Sequence, residues 1–292
     1  MPELPEVETT ARLLRPQLVG RRFESCEVRW PRTLGGLAPR AFATAIEGVR
    51  VRSVGRRAKW IVLELGRSRA PAGVLCVHLR MTGRLQIDAA DVPPGSWERV
   101  RIALDDGRVL RFVDPRKFGR MRYARRPEEV LGDLGPEPLA PEFTAEWFAD
   151  ALRARRRLLK PLLLDQTFLA GLGNIYADES LHRAGLHPLG RSERVDDAAA
   201  ARLRDAIRDV LREAIAREGS SFDTFYRTPD GRPGSYQDQF RVYGRTGKAC
   251  LVCETPIRYM VVAQRGSHLC PRCQPRPRAL RRRKGMERRA PA

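Results

Sequence analysis

"CLVCETPIRYMVVAQRGSHLCPRC", residues 250–273, carries two C-x2-C pairs, Cys250/Cys253 and Cys270/Cys273, separated by 16 residues that include the strand-like IRYMVVAQ. Four thiolates at this spacing can close a tetrahedral zinc site on a β-hairpin. Four cysteines fill the coordination shell and leave no position for water, so the metal expected here is one structural Zn2+ rather than a catalytic one. The two remaining cysteines, Cys26 and Cys76, stand apart in strand-like surroundings, which argues against a disulfide framework.

The chain around this ribbon has 292 residues, enough for two domains plus a small appended module. Its 55 Lys and Arg oppose 35 Asp and Glu, and the resulting charge of +20 seeks a polyanion. There is neither an apolar run long enough to span a membrane nor a signal-peptide pattern, so a soluble, intracellular protein is expected. An acidic membrane surface is the weaker choice of partner.

Toward the N-terminus, VETTARLLRPQLVG predicts a short helix with Val7, Leu13, Leu14 and Leu18 apolar and Gly20 as its stop. Pro5 suits its first turn, and Glu6 and Glu8 favour the positive end of its dipole. From about 22 to 124, KWIVLELG, GVLCVHLRMTGRLQI and RVRIALDDGRVLRFVD predict strands, with Asp106-Gly107 as a hairpin signal, in a sandwich or barrel. The Gly- and Pro-rich LGDLGPEPLAPEF (131–143) predicts a domain boundary. DDAAAARLRDAIRDVLREAIAREG then predicts a long amphipathic helix with Leu203, Ile207, Val210, Leu211, Ala214 and Ile215 on one face and Gly219 after its end. The Arg- and Pro-rich tail after Cys273 is expected to be disordered.

Taken with the ribbon, the blocks PELPEVE, GRRAKW, HLRMTGRL, DPRKFGR, LGPEPL, DQTFLAGLGNIYADESL and DGRPGSYQDQFRVYGRTG resemble the bacterial formamidopyrimidine-DNA glycosylases over residues 1 to 274. The resemblance implies an α+β multidomain fold. An N-terminal β-sandwich catalytic domain with an N-terminal helix would take 1–132, and a helix-two-turn-helix DNA-binding domain with a lesion-capping loop 133–239. A four-cysteine zinc ribbon would take 240–274, with a basic disordered tail over 275–292. It implies a monomeric, cytoplasmic and nucleoid-associated repair enzyme acting on damaged double-stranded DNA. The expected activity is excision of oxidised purines through a covalent iminium, followed by strand cleavage by β,δ-elimination.

By the same resemblance Met1 is removed and the secondary amine of Pro2 attacks C1′ of the damaged nucleotide, chemistry closed to a proline nitrogen held in an amide. Glu3 is implied as the proton-transfer carboxylate, with Glu6 nearby, and Lys59 as an ammonium beside the lesion phosphate and base. Read alone, Glu3 is equally a helix-start residue and Lys59 a solvated strand end. Met81 and Phe118 are implied as wedges into the duplex and Arg116 as the partner of the orphaned base, filling the void left by a flipped nucleotide. His78, Asn174, Tyr243 and Arg265 are implied phosphate contacts, with glycines letting the GLGN backbone approach DNA.

Two features depart from the family pattern: Tyr236 stands where Phe is usual in the capping loop, and the basic tail runs past the last C-x2-C. The tail reads equally as extra nonspecific DNA affinity or as a solvated charge run. An endonuclease VIII-like enzyme for oxidised pyrimidines usually has Gly after the opening PE, so Leu4 and VETT favour the purine enzyme. A non-catalytic damaged-DNA-binding protein should lack Pro2, Glu3 or Lys59, and all three are present.

Overall fold

The computed structural model describes residues 1–68, 70–222 and 225–277, so from residue 278 onward the expected basic tail lies outside the described residues. Two compact units divide the chain. The first takes Met1–Glu142, Asp165–Gly173 and Arg208–Gln239; the second takes Phe143–Leu164, Asn174–Ile207 and the chain from Phe240. One division between the units falls inside the long helix at Ile207/Arg208.

In the first unit α1 (Leu4–Leu18) has Pro5 in its opening turn, where the missing N–H breaks no intrahelical bond. Val7, Ala11, Leu14 and Leu18 follow at helical spacing and are fully buried, whereas Leu13 is half-buried. Then come β1 (Phe23–Val28), α2 (Pro39–Ile46), β2 (Arg50–Arg57), β3 (Trp60–Arg67), β4 (Ala70–His78), β5 (Arg84–Ala89), β6 (Glu98–Leu104), β7 (Arg108–Val113), β8 (Arg120–Ala124) and the short α3 (Glu128–Leu131). The strands form two antiparallel sheets, β1-β6-β7-β5 and β2-β3-β4-β8.

Strand alternation sends Ile61, Leu63 and Leu65 of β3 and Leu75 and Val77 of β4 to one side. There they share a single core with Phe23, Val100, Ile102, Leu110 and Phe112 of the other sheet. The fold is therefore a sandwich rather than a barrel. On the opposite face of β3 and β4, Val74 and Cys76 pack with Trp60, Val62 and Val130 and Leu131 of α3.

GVLCVHLRMTGRLQI, continuous as a pattern, breaks at Leu79–Gly83 into β4 and β5, which belong to different sheets. The loop from β7 to β8, residues 114–119, also crosses from one sheet to the other. Met81 thus lies on one sandwich corner and Arg116 and Phe118 on another.

The second unit holds α4 (Ala145–Ala154), α5 (Leu159–Leu163), α6 (Asn174–Arg183), the N-terminal half of α7 (Asp197–Ala216), and the hairpin β9 (Arg258–Val262) with β10 (Arg265–Leu269). Thr144 caps α4 by accepting the Trp147 N–H at 3.1 Å, and Asp196 caps α7 by accepting that of Ala199 at 2.7 Å. Along α7, Leu203, Ile207, Val210, Leu211 and Ala214 are buried as the spacing predicts, and Ile215 only half so. Among the described residues no helix is long and apolar enough to cross a membrane.

Phe112, fully buried, lies beneath both corners: a Cβ added at Gly83 or at Gly119 would press on its ring. Phe112→Ala is expected to cost about 3–5 kcal/mol through the cavity it leaves. Urea unfolding of the variant measures this, and a loss below about 1 kcal/mol would contradict the packing.

Candidate active site and metal centre

Buried Pro2 and Glu3 precede α1, and Met1 is exposed. Their setting is built by two neighbours in the same unit. The Glu6 carboxylate, 2% exposed, accepts the Glu3 N–H at 2.8 Å with Oε2 and the Ser220 N–H at 2.7 Å with Oε1. The Gly171–Gly173 loop supplies the other side: the Leu4 N–H donates to Gly171 O at 3.1 Å. A Cβ on Gly171 would stand 2.6 Å from Leu4 Cδ1, and one on Gly173 would overlap the Glu3 carboxylate. Gly171 also has φ +88°. Gln166 fixes this loop by accepting the Gly171 N–H at 2.9 Å and donating to Leu172 O at 3.0 Å. What these two glycines make room for within the protein is therefore the catalytic candidate Glu3 and its neighbour Leu4.

Lys59 occupies a two-residue hairpin turn with Ala58, between the paired Arg57 and Trp60. It is 8% exposed, unlike the solvated strand end that its sequence context also allows. Ala58 takes φ +51°, uncommon for a residue with a Cβ. Glu137 of the LGPEPL block holds this turn, accepting the Ala58 N–H at 2.6 Å and pairing with Arg56 at 2.7 Å and Arg57 at 2.9 Å. Burial pushes the Glu137 carboxyl up, but the Arg56 charge and the bonds from Arg56, Ala58 and Arg57 outweigh it and hold the group below its usual range. Nothing within the LGPEPL stretch marks Glu137 as the brace of this turn, because its partners lie about eighty residues earlier in the chain.

His78 ends β4, packed edge-on against Trp60 with centroids 4.9 Å apart. Its Nδ1 accepts the Arg80 N–H at 3.0 Å, so a neutral ring carries its hydrogen on Nε2. Burial, with the charges of Arg80 and Lys59, brings its pKa down to about 3. His78 is thus an uncharged donor at neutral pH.

On the corner loops, Met81 is 37% exposed and Phe118 48%, with the Arg116 guanidinium 5.1 Å from the centre of the Phe118 ring. These three side chains are presented at the surface. The capping-loop candidate Tyr236 is by contrast 1% exposed, its N–H donating to Gly219 O at 2.9 Å.

In the second unit the four cysteines converge, their Sγ atoms all within 4.8 Å of one another. The separations Cys250–Cys273 3.9 Å, Cys253–Cys270 3.4 Å and Cys253–Cys273 3.5 Å approach the roughly 3.8 Å expected of ligands about 2.3 Å from a tetrahedral zinc. The donor set fits one Zn2+. His182 Nε2 stands 3.6 Å from Cys250 Sγ, an outer contact that the sequence did not announce.

Arg265 is exposed at the start of β10, after a two-residue turn in which Ala263 and Gln264 take φ of +45° and +62°. Asn174 Nδ2 donates to Gly266 O at 3.0 Å, which brings Asn174 and the Arg265 hairpin together. The buried Lys160 donates to the same oxygen at 2.8 Å and pairs with Asp178 at 2.6 Å. Tyr243 packs against His268 at 4.8 Å, and the buried Glu179 accepts the N–H groups of Arg241, Val242 and Tyr243 at 2.8–3.0 Å.

Comparison with known proteins places these features in context. Residues 1–121 match the formamidopyrimidine-DNA glycosylase N-terminal domain, 134–226 the formamidopyrimidine-DNA glycosylase H2TH domain, and 247–276 a zinc finger found in FPG and IleRS. A formamidopyrimidine-DNA glycosylase of Chloroflexus aggregans is 48% identical over 283 residues, covering 94% of this chain and 98% of that protein. One from Herpetosiphon aurantiacus is 45% identical, covering 94% and 100%. Among solved structures, the MutM (Fpg) protein of Thermus thermophilus superposes with a TM-score of 0.83 at 42% identity, covering 94% of this chain and 98% of that one. The Lactococcus lactis Fpg in complex with DNA containing N7-benzyl-Fapy-dG superposes with a TM-score of 0.86 at 33% identity, covering 94% and 100%.

Two outcomes are expected. Because the folded pKa of His78 lies below its ordinary 6.5, the stability it contributes is full above about 6.5 and is lost as the pH falls from there toward about 3. His78→Gln is expected to flatten the dependence of unfolding free energy on pH across that window, and an unchanged slope in urea titrations would contradict the buried neutral imidazole. Chelation is expected to remove one zinc per chain and raise amide hydrogen exchange over 258–269 while leaving 60–78 protected. Equal exchange in the two segments, or elemental analysis without zinc, would overturn the metal assignment.

Proposed function

The chain belongs to the formamidopyrimidine-DNA glycosylase family, and from that premise we propose that it is a base-excision-repair DNA glycosylase and AP lyase that removes oxidised purines from damaged duplex DNA. The observation that carries the reading is the burial of Pro2 and Glu3 at the head of α1, braced by Glu6 and the 171–173 loop. A helix start alone would not need a glycine clearance for the Glu3 carboxylate. Glu6 closes the capping box with Glu3, as a helix start allows, but its other oxygen also holds the distant Ser220 N–H, which a helix start does not need.

With Met1 removed, the Pro2 nitrogen changes from an amide to a secondary amine whose lone pair attacks C1′ of the lesion nucleotide. The new N–C1′ bond replaces the bond to the base, which leaves with that electron pair and takes up a proton, while the Pro2 nitrogen gives up its own proton and so regains a lone pair. Glu3 protonates the ring oxygen as the sugar opens, and the nitrogen lone pair then closes the iminium. The iminium withdraws electrons, so loss of a proton from C2′ expels the 3′-phosphate (β-elimination). A further proton loss expels the 5′-phosphate (δ-elimination), and water releases the enzyme. Lys59 stabilises negative charge developing at the lesion phosphate and base.

His78 donates its Nε2–H to a phosphate without adding charge, and Asn174, Tyr243 and Arg265 make further backbone contacts. Met81, Arg116 and Phe118 occupy the space vacated by the flipped base, with Arg116 reading the opposite base. Cys250, Cys253, Cys270 and Cys273 would hold one structural zinc, whose role would be to tie the ribbon together rather than to activate water. The catalytic segment takes 1–132, the DNA-binding and lesion-capping segment 133–239 and the ribbon 240–274. The enzyme works as a monomer in the cytoplasm on nucleoid DNA.

Borohydride trapping on duplexes carrying 8-oxoguanine or an oxidised pyrimidine tests the assignment. The wild type is expected to trap and cleave the purine duplex preferentially. Pro2→Gly is expected to retain binding to the lesion while losing most of the trapped adduct and strand cleavage. Trapping by Pro2→Gly at the wild-type level would remove Pro2 from the mechanism, and preference for the pyrimidine duplex would reassign the substrate.

A further inference from the structure

Each of the two corner loops that carry the wedge candidates has a left-handed residue immediately before its apolar tip: Arg80 at φ +54° before Met81, and Lys117 at φ +62° before Phe118. Residues with a Cβ hold that conformation only where the surroundings enforce it. Beneath the tips lies a polar joint shared by both loops. Thr82, 4% exposed, donates its hydroxyl to Asp114 Oδ1 at 2.5 Å and accepts the Arg116 N–H at 3.3 Å. Asp114, 1% exposed, accepts the Gly119 N–H at 2.7 Å with Oδ2, so one carboxylate spans the first and last residues of the 114–119 loop. The Asp114 carbonyl also accepts from Arg99 Nε at 2.8 Å. At Gly119 a side chain would meet Phe112 and the same carboxylate.

We propose that Thr82 is a positioning residue: through Asp114 and the Arg116 N–H it fastens the β4–β5 and β7–β8 corners together, so that Met81 and Phe118 enter the duplex as one rigid element. The proposal rests on the wedge role given to those side chains above. Its physical basis is that each loop crosses between sheets separately and has an exposed tip. Two independently mobile tips would have to be ordered twice on binding. A charge-assisted hydrogen bond shielded from water joins them beforehand. Thr82 touches no reacting atom and acts only through its neighbours.

The test is a double-mutant cycle on single-turnover excision from an 8-oxoguanine duplex, using Met81→Ala and Phe118→Ala in the full chain. In the wild-type background the two changes are expected to be non-additive by about fivefold or more, as coupled sites are. In Thr82→Val, which keeps the branched shape and removes the hydroxyl, their effects are expected to multiply to within about twofold. Thr82→Ser restores the hydroxyl and is expected to restore the non-additivity; a folded Thr82→Ser with uncoupled wedges would overturn the proposal even if Thr82→Val fails to fold. Non-additivity that survives in Thr82→Val overturns the fastening alone, since a merely structural residue would slow excision without uncoupling the tips. If neither Met81→Ala nor Phe118→Ala slows excision in the wild type, the wedge reading falls and the fastening falls with it.

Discussion

The Glu6 carboxylate binds the backbone N–H of Glu3 and that of Ser220, joining the first turn of the chain to a segment more than two hundred residues later. A chain terminus is ordinarily the least constrained part of a domain. A nucleophile placed there would sample many positions, and the gain in rate from holding reactants in register would be lost. The bracing of Glu3 by Glu6, together with the clearance at Gly171 and Gly173, turns the terminus into an ordered wall of the unit. The acidic richness of PELPEVE is therefore put to structural use: Glu3 and Glu6 close a reciprocal capping box at the head of α1, and Glu6 reaches on to the Ser220 N–H.

The same device recurs. Glu137 accepts the Ala58 N–H and thereby holds the turn bearing Lys59; Asp114 accepts the Gly119 N–H and closes the loop bearing Arg116 and Phe118. In the second unit Glu179 accepts three successive N–H groups ending at Tyr243, and Asp178 accepts that of His268 beside the Arg265 hairpin. Turns and loops leave backbone donors without ladder partners, and buried donors must be satisfied. A carboxylate satisfies them more strongly than a neutral acceptor and fixes their direction. Burial pushes the Glu179 carboxyl above its usual range despite three bonds, so desolvation is the dominant cost of this arrangement.

Much of this was legible in the sequence where local pattern and tertiary demand agree. The ribbon cysteines, α1, the Asp106-Gly107 hairpin and the apolar face of α7 follow from spacing alone. Where they disagree, the pattern misled or stayed silent. GVLCVHLRMTGRLQI alternates without interruption, yet the chain changes sheet at Leu79–Gly83, because a corner needs a clearance at Gly83 and not a loss of hydrophobicity. Ala58-Lys59 and Ala263-Gln264 are hairpin turns with positive φ and no glycine or asparagine to mark them, and both carry or adjoin a functional candidate. Thr82, Glu137, Glu179 and His182 act through partners distant in sequence. No single stretch could reveal them.

The electrostatics of the first unit follow from this placement. A protein with charge +20 has no shortage of cations for phosphate, so an additional imidazolium beside Lys59 would contribute mostly repulsion. Burial of the ring, with the charges of Arg80 and Lys59 adding to it, disfavours protonation of His78, and the Arg80 N–H fixes the remaining hydrogen on Nε2. The ring keeps its donor and gives up its charge. Electrostatic attraction to the DNA backbone is then left to exposed arginines, where it is sensitive to salt, while the buried groups are arranged for direction. Long-range attraction and local geometry are thereby carried by different residues, and the internal carboxylates keep the second from being disturbed by the first.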